Sequence, residues 1–152
     1  MENNISGTIE NQVHRLKKRV YYSDTDAGGV VYHSRYIEMA EHARSELIHL
    51  LGAEQHSILT DEGIGVVVRS MNIQYNRPAF LDEVLTIESR ITKCETFTLV
   101  FIQNICRDGE PLCEIELKAG SVSLKTGRPS PLPEDWKAKI TGFMNPSAST
   151  GA

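Results

Sequence analysis

The sequence predicts an α+β domain in which an antiparallel sheet wraps around one long central helix. Three observations carry that prediction. A single long stretch, residues 34–51, has apolar residues at helical spacing. Four strand-like runs follow it in succession. Asp108-Gly109, between the last two of those runs, is a strong two-residue hairpin signal that folds them back antiparallel. Four consecutive antiparallel strands need cover on one face, and the helix over 34–51 is the long apolar helix available to provide it.

The elements follow in chain order. Residues 1–14 read as a flexible lead-in, 15–144 as one domain and 145–152 as a small, polar, disordered tail; 152 residues suit a single core. Arg19 to Tyr22 reads as a short strand behind the basic stretch Arg15 to Arg19, which suits a solvated lead-in better than a phosphate site. Ser23-Asp24-Thr25-Asp26-Ala27-Gly28-Gly29 is a sharp turn, because paired glycines accept backbone angles that other residues avoid. In the helix, Tyr36, Ala40, Ala43, Leu47 and Leu50 form the stripe, small alanines at its middle allow close approach to a sheet, and Gly52 stops it. Residues 66–76 alternate until Arg77-Pro78 breaks the run. Val84 to Ile91, Phe97 to Cys106 and Leu112 to Leu124 complete the strands, and Pro133 to Phe143 reads as a short terminal helix with proline in its first turn.

Composition excludes several classes. A formal charge of -4 and a pI of about 5.7 argue against a nucleic-acid surface. No apolar run approaches a membrane span, and the polar N-terminus lacks the core of a secretory signal, so a cytoplasmic location is expected. Cys94, Cys106 and Cys113 form no Cys-x-x-Cys pair, and five scattered histidines have no ligand spacing, so packed thiols and no metal or cofactor are expected. A two-residue Asp108-Gly109 loop would set Cys106 opposite Pro111 and Cys113 opposite Asn104, so the two thiols would not face each other.

Asp24 and Asp26 lie two apart on the connection into the helix and would share a face if the backbone were extended there. Two readings stand side by side. Either aspartate can cap the helix or its turn. Alternatively, a carboxylate beside the helix's free N-terminal amides is an arrangement for attack on an activated carbonyl, the oxyanion held by backbone N–H groups.

The run Val20-Tyr-Tyr-Ser-Asp-Thr-Asp-Ala-Gly-Gly-Val-Val-Tyr-His-Ser-Arg-Tyr36 resembles the signature of the 4-hydroxybenzoyl-CoA thioesterase family, whose fold is the hotdog. It is especially similar to the branch of Tol-Pal-associated acyl-CoA thioesterases. The similarity continues through Glu41-His-Ala-Arg44 and Tyr75-Asn-Arg-Pro-Ala-Phe-Leu-Asp82, and more diffusely to about Leu124. The resemblance implies an acyl-CoA thioester hydrolase with Asp26 as its catalytic carboxylate, acting as nucleophile or as general base toward water, and Asp24 as a support of the loop. It also implies that the amide at His33 meets the thioester oxygen and that the His33 side chain belongs to the site. Gly29, Tyr32, Tyr36 and Arg77 are the substrate-binding candidates, though aromatic residues near a helix start, as Tyr32 and Tyr36 are, more often serve packing. No basic cluster marks where the CoA phosphates rest; Arg77, Lys93 and Arg128 are the cations on offer.

Other readings remain at this level. Asp-x-Asp after a strand also serves magnesium-dependent phosphoryl and glycosyl transfer, but no phosphate-gripping glycine loop accompanies it. A non-catalytic module that binds acyl groups or acyl carrier protein in phospholipid metabolism would use the same fold. The resemblance further implies sheets paired edge to edge, a dimer at least and a dimer of dimers by preference, with sites at the subunit boundary.

Overall fold

The long helix forms where the stripe predicts it. The computed structural model describes residues 5–53 and 59–145; apart from Asn145, the tail expected to be disordered lies outside them. Helix α1 spans His33–Leu50 and buries Tyr36, Met39, Ala40, Ala43, Leu47 and Ile48, the residues that fall on one face at three- and four-residue steps. It ends as expected: Gly52, at φ +80°, takes the left-handed position, and its amide donates to the His49 carbonyl.

Six strands form one sheet: β1 (Thr8–Glu10), β2 (Val13–Arg19), β3 (Ile64–Tyr75), β4 (Val84–Cys94), β5 (Thr98–Arg107) and β6 (Glu110–Ser123). Their order is β1-β2-β4-β5-β6-β3, with every neighbour antiparallel. A second helix, α2 (Glu134–Met144), buries Trp136, Ile140 and Phe143 against β4, and Lys139 Nζ donates to the Gly52 carbonyl at 2.8 Å, tying α2 to the end of α1. No helix among the described residues is long and apolar enough to cross a membrane.

Two expectations change. The strand placed at Arg19 to Tyr22 lies earlier, at Val13–Arg19, and Tyr22–Asp24 is a single 3-10 turn. The lysines and arginines of this stretch hid its alternation, because His14, opposite Ser89 of β4, is an inward residue with no apolar signature. The sheet therefore starts inside the 1–14 lead-in, where Asn11 and Gln12, both at positive φ, close a two-residue hairpin between β1 and β2. In the Asp108-Gly109 hairpin, Cys106 does face Pro111, but a bulge follows and Cys113 faces Ile105 rather than Asn104. Leu112 is the extra residue, and its carbonyl accepts the amides of Asn76 and Arg77 instead of a β5 partner.

Two further bulges explain how the sheet wraps. The register shifts between Val68 and Ser70 in β3 and between Ile91 and Lys93 in β4. Both fall at the level of Val100 and Lys118 in the intervening strands, so the extra residues line up across the sheet. Aligned bulges bend a sheet along one crease. Gly120 sits at that crease, where a Cβ would meet Arg69 Cδ at 2.6 Å.

The concave face carries Leu85, Ile87, Ile105, Ile115 and Leu117 into one cluster with Leu47 and Ala43 of α1. A polar thread runs through it. Gln103, fully buried, donates to the Ala40 carbonyl and to Ser89 Oγ, both at 2.9 Å, and accepts from Arg44 Nη1 at 2.9 Å. A buried amide whose groups all find partners stabilises its element pair without the desolvation cost of an orphan.

Candidate active site

The loop between β2 and α1 is built around Asp24. Its carboxylate is buried, accepts the Tyr21 amide at 2.8 Å and lies 3.5 Å from Lys18 Nζ, while its carbonyl accepts the Tyr32 amide at 2.9 Å. Lys18 in turn sits 4.1 Å from the Tyr21 ring centroid. Asp24 thus holds both ends of the loop in place, the supporting role expected of it.

Asp26 faces the other way. It is exposed, its amide donates to the Val30 carbonyl, and its Oδ1 accepts the Gly28 amide at 2.8 Å. Gly29 follows at φ +84°, which a side chain would strain, and its amide donates to the Asp26 carbonyl. The two aspartates therefore do not share a face: the 3-10 turn ending at Asp24 rotates one carboxylate inward and leaves the other outside. The helix-capping reading also fails for both, because the N-cap of α1 is Tyr32, with no side-chain cap. Capping survives within the loop alone, as the Asp24 carboxylate on the Tyr21 amide at the head of the 3-10 turn and as the small Asp26–Gly28 turn.

Helix α1 consequently opens with bare amides. Those of His33 and Ser34 have no acceptor among the described residues, while the Arg35 amide turns back to the Tyr32 carbonyl. Free amides and the helix dipole together attract an anion or a polarised carbonyl oxygen. The His33 ring is exposed, 4.3 Å from the Tyr32 ring and 6.3 Å edge-on from that of Tyr75. Tyr75 Oη donates to the His33 carbonyl at 3.2 Å.

His33, Tyr36 and Arg77 are brought together on an open cleft of about 250 Å³, with Val31, Tyr75, Asn76 and Pro78. Tyr36 is at once lining and packing: it is buried, and its hydroxyl accepts the Ala79 amide at 3.1 Å. Burial pushes its phenol above the ordinary tyrosine value, so it stays protonated at neutral pH. Arg77 Nε is 3.1 Å from Glu110, an exposed pair that a competing anion can open. Asp26, Gly29 and Tyr32 stand on the preceding loop rather than in the cleft wall. Lys93 lies on a different cavity, with Lys118. Tyr75 and Asn76 were missed as site residues; their signal was the end of an alternating strand immediately before Arg77-Pro78.

The three cysteines are free thiols and none lines this cleft, though Cys113 lies opposite Tyr75 across β6 and β3. Burial pushes Cys106 up to about 11 and Cys113 up to about 12, as packed thiols require.

Comparison with known proteins gives the same direction throughout. The model of the thioesterase-like superfamily matches residues 20–140. An acyl-CoA thioesterase YbgC of Haemophilus influenzae is 37% identical over 120 residues, covering 79% of this chain and 88% of its own. An acyl-CoA thioester hydrolase YbgC of Escherichia coli O6:H1 is 39% identical over 127 residues, covering 83% and 94%. Among solved structures, a probable thioesterase from Bartonella henselae superposes with a TM-score of 0.75 at 35% identity, covering 80% of this chain and 99% of its own.

Proposed function

This chain belongs to the thioesterase-like superfamily and hydrolyses acyl-CoA thioesters, and from that premise we propose that Asp26 is its catalytic carboxylate. The observation that carries the proposal is the uncapped start of α1, which leaves the His33 and Ser34 amides free just beyond the loop that presents Asp26. In this reading the thioester carbonyl oxygen sits on those amides, which stabilise the negative charge that develops as the carbon becomes tetrahedral. Asp26 either attacks that carbon or takes a proton from the water that does. The C–S bond then breaks and CoA leaves as its thiolate; on the general-base route the water oxygen stays with the acyl group as the free carboxylic acid, and on the nucleophilic route water cleaves the aspartyl–acyl anhydride in a second step, releasing the acid and restoring the carboxylate. A thiolate leaves readily, so no serine nucleophile is required. The Asp26–Gly28 contact fixes the carboxylate's orientation, and the His33 side chain donates a hydrogen bond to the oxyanion or positions the water. Gly29 lets the loop pass close to the substrate, Tyr32 and Tyr36 flank the acyl group, and Arg77 exchanges Glu110 for a CoA phosphate.

Asp26 is exposed in a single subunit, whereas this chemistry gains from a dry site. Strand β3 offers a way to close it: a 12-residue edge strand with Val66, Val67 and Val68 facing solvent is a surface that proteins pair or protect. Pairing of two β3 edges about a two-fold gives the dimer, and two such dimers the expected tetramer. On the resemblance to the Tol-Pal-associated branch, the enzyme works in the cytoplasm on lipid metabolism of the cell envelope and takes acyl groups from CoA or from acyl carrier protein.

Thiol release from acyl-CoAs of graded length, aliphatic and aromatic, tests the assignment. Turnover by the wild type that is reduced by a factor of at least 100 in folded Asp26→Ala is the expected result. Equal turnover by both proteins rules Asp26 out.

A further inference from the structure

Between α1 and the N-terminal half of β3 lies a second cavity, of about 320 Å³, that the hydrolytic chemistry above does not use. Its wall is mostly hydrocarbon, Ile48, Ile64, Leu99, Leu117 and Trp136 among it, interrupted by polar side chains of α1. At about 30 Å³ for a methylene-sized group, it has room for on the order of ten such groups, the size of a medium acyl chain. Two charged side chains, Glu41 and Arg44, line this chamber. Arg44, only half-exposed, lines it with no carboxylate within ion-pair distance among the described residues. Its direct partners are neutral, the Gln103 amide oxygen at 2.9 Å and the face of Phe101 at 5.9 Å, while Glu41, one turn earlier, acts on it through charge from beyond ion-pair distance. The single hydrogen bond to Gln103, whose own amide nitrogen is held by Ala40 and Ser89, fixes the guanidinium and leaves most of its five donors unused.

The cavity is placed to serve a thioester held by a second copy of the chain. Identical strands paired antiparallel about a two-fold run past each other end for end. The Tyr75 end of the partner's β3, which carries the His33 carbonyl on its hydroxyl, then lies beside the Ile64 end of this one, which walls the cavity.

We propose that this cavity receives the acyl group and that Arg44, held by Gln103, selects acyl groups bearing an oxygen acceptor at their far end, a hydroxyl or a carboxylate. The proposal rests on the thioesterase reading and on β3 pairing. Glu41 also lines the cavity, one turn before Arg44, so its charge opposes a carboxylate while its oxygens accept from a hydroxyl. Hydroxyl and carboxylate substrates therefore separate the two sources of the same chemistry.

The experiment compares kcat/KM of the full-length protein on matched CoA thioesters at six, eight and ten carbons: plain alkyl, terminal hydroxyl and terminal carboxylate. At one length or more, an oxygenated substrate exceeds its alkyl counterpart by roughly tenfold or more, as a charge-assisted hydrogen bond predicts. In Arg44→Met the ratio falls toward one, and in Arg44→Lys a preference for oxygen persists. If Arg44→Met does not fold, the wild-type ratios alone decide. Ratios near one or below at all three lengths, with Asp26-dependent turnover intact, overturn the proposal and leave the thioesterase reading standing. Absence of turnover on every thioester overturns both.

Discussion

Asp24 has its carboxylate turned inward onto the Tyr21 amide and Lys18, whereas Asp26, two residues on, is exposed and held only by Gly28. The proposed division of labour between support and chemistry rests on that difference in burial, which a one-dimensional Asp-x-Asp pattern does not encode. Another residue, His14, makes a prediction of its own. It is inaccessible to solvent, its Nε2 donates to the Ser6 carbonyl at 2.7 Å, and its Nδ1 has no partner. Burial lowers its proton affinity, against the smaller raising effects of the Ser6 bond and Glu46. A histidine whose proton affinity is depressed on folding binds its proton more readily in the unfolded chain. Stability from this group is thus complete above the unfolded value of 6.5 and is lost as pH falls below it. The urea midpoint is expected to drop between pH 7 and pH 5, and to drop less in His14→Gln; parallel profiles for the two proteins contradict the assignment.

Helix α1 and strands β3 to β6 were legible in the sequence because their apolar periodicity is strong; each lies within two residues of its expected bounds except β4, which runs three residues past Ile91 to Cys94. What the sequence hid was of another kind. Strand β2 looks polar because one of its inward residues is His14, which bonds the Ser6 carbonyl, and the bulge at Leu112 accompanies long-range partners at Asn76 and Arg77. The site divides the same way. Asp26, Gly29 and His33 stood out in one short run, and Tyr36 and Arg77 with the resemblance, but the convergence of His33, Tyr36 and Arg77 with Tyr75 and Asn76 depends on how β3 ends against α1. The packing of α1 is testable directly. Leu47 is fully buried at the helix–sheet junction, so Leu47→Ala should cost about 2–5 kcal/mol of unfolding free energy. Chemical denaturation showing a loss under about 1 kcal/mol would mean that α1 is not clamped by the sheet as described.

At the scale of the whole molecule, one subunit carries an exposed carboxylate, an open cleft and an edge strand, three features that the proposed second copy would complete together. Light scattering at micromolar concentration is expected to give at least twice the 17.0 kDa chain mass, with specific activity falling on dilution below the dimer's dissociation constant. A fully active monomer contradicts that arrangement, and with it the placement of the Arg44 cavity beside a partner's site. The central claim concerns Asp26, and the most direct measurement is kcat on the best acyl-CoA substrate for the wild type and for Asp26→Asn, matched in circular dichroism and oligomeric mass. The account predicts that the isosteric amide, which can neither attack nor accept a proton, lowers kcat by at least about 100-fold. A kcat within a few-fold of wild type in the folded, assembled variant would contradict it.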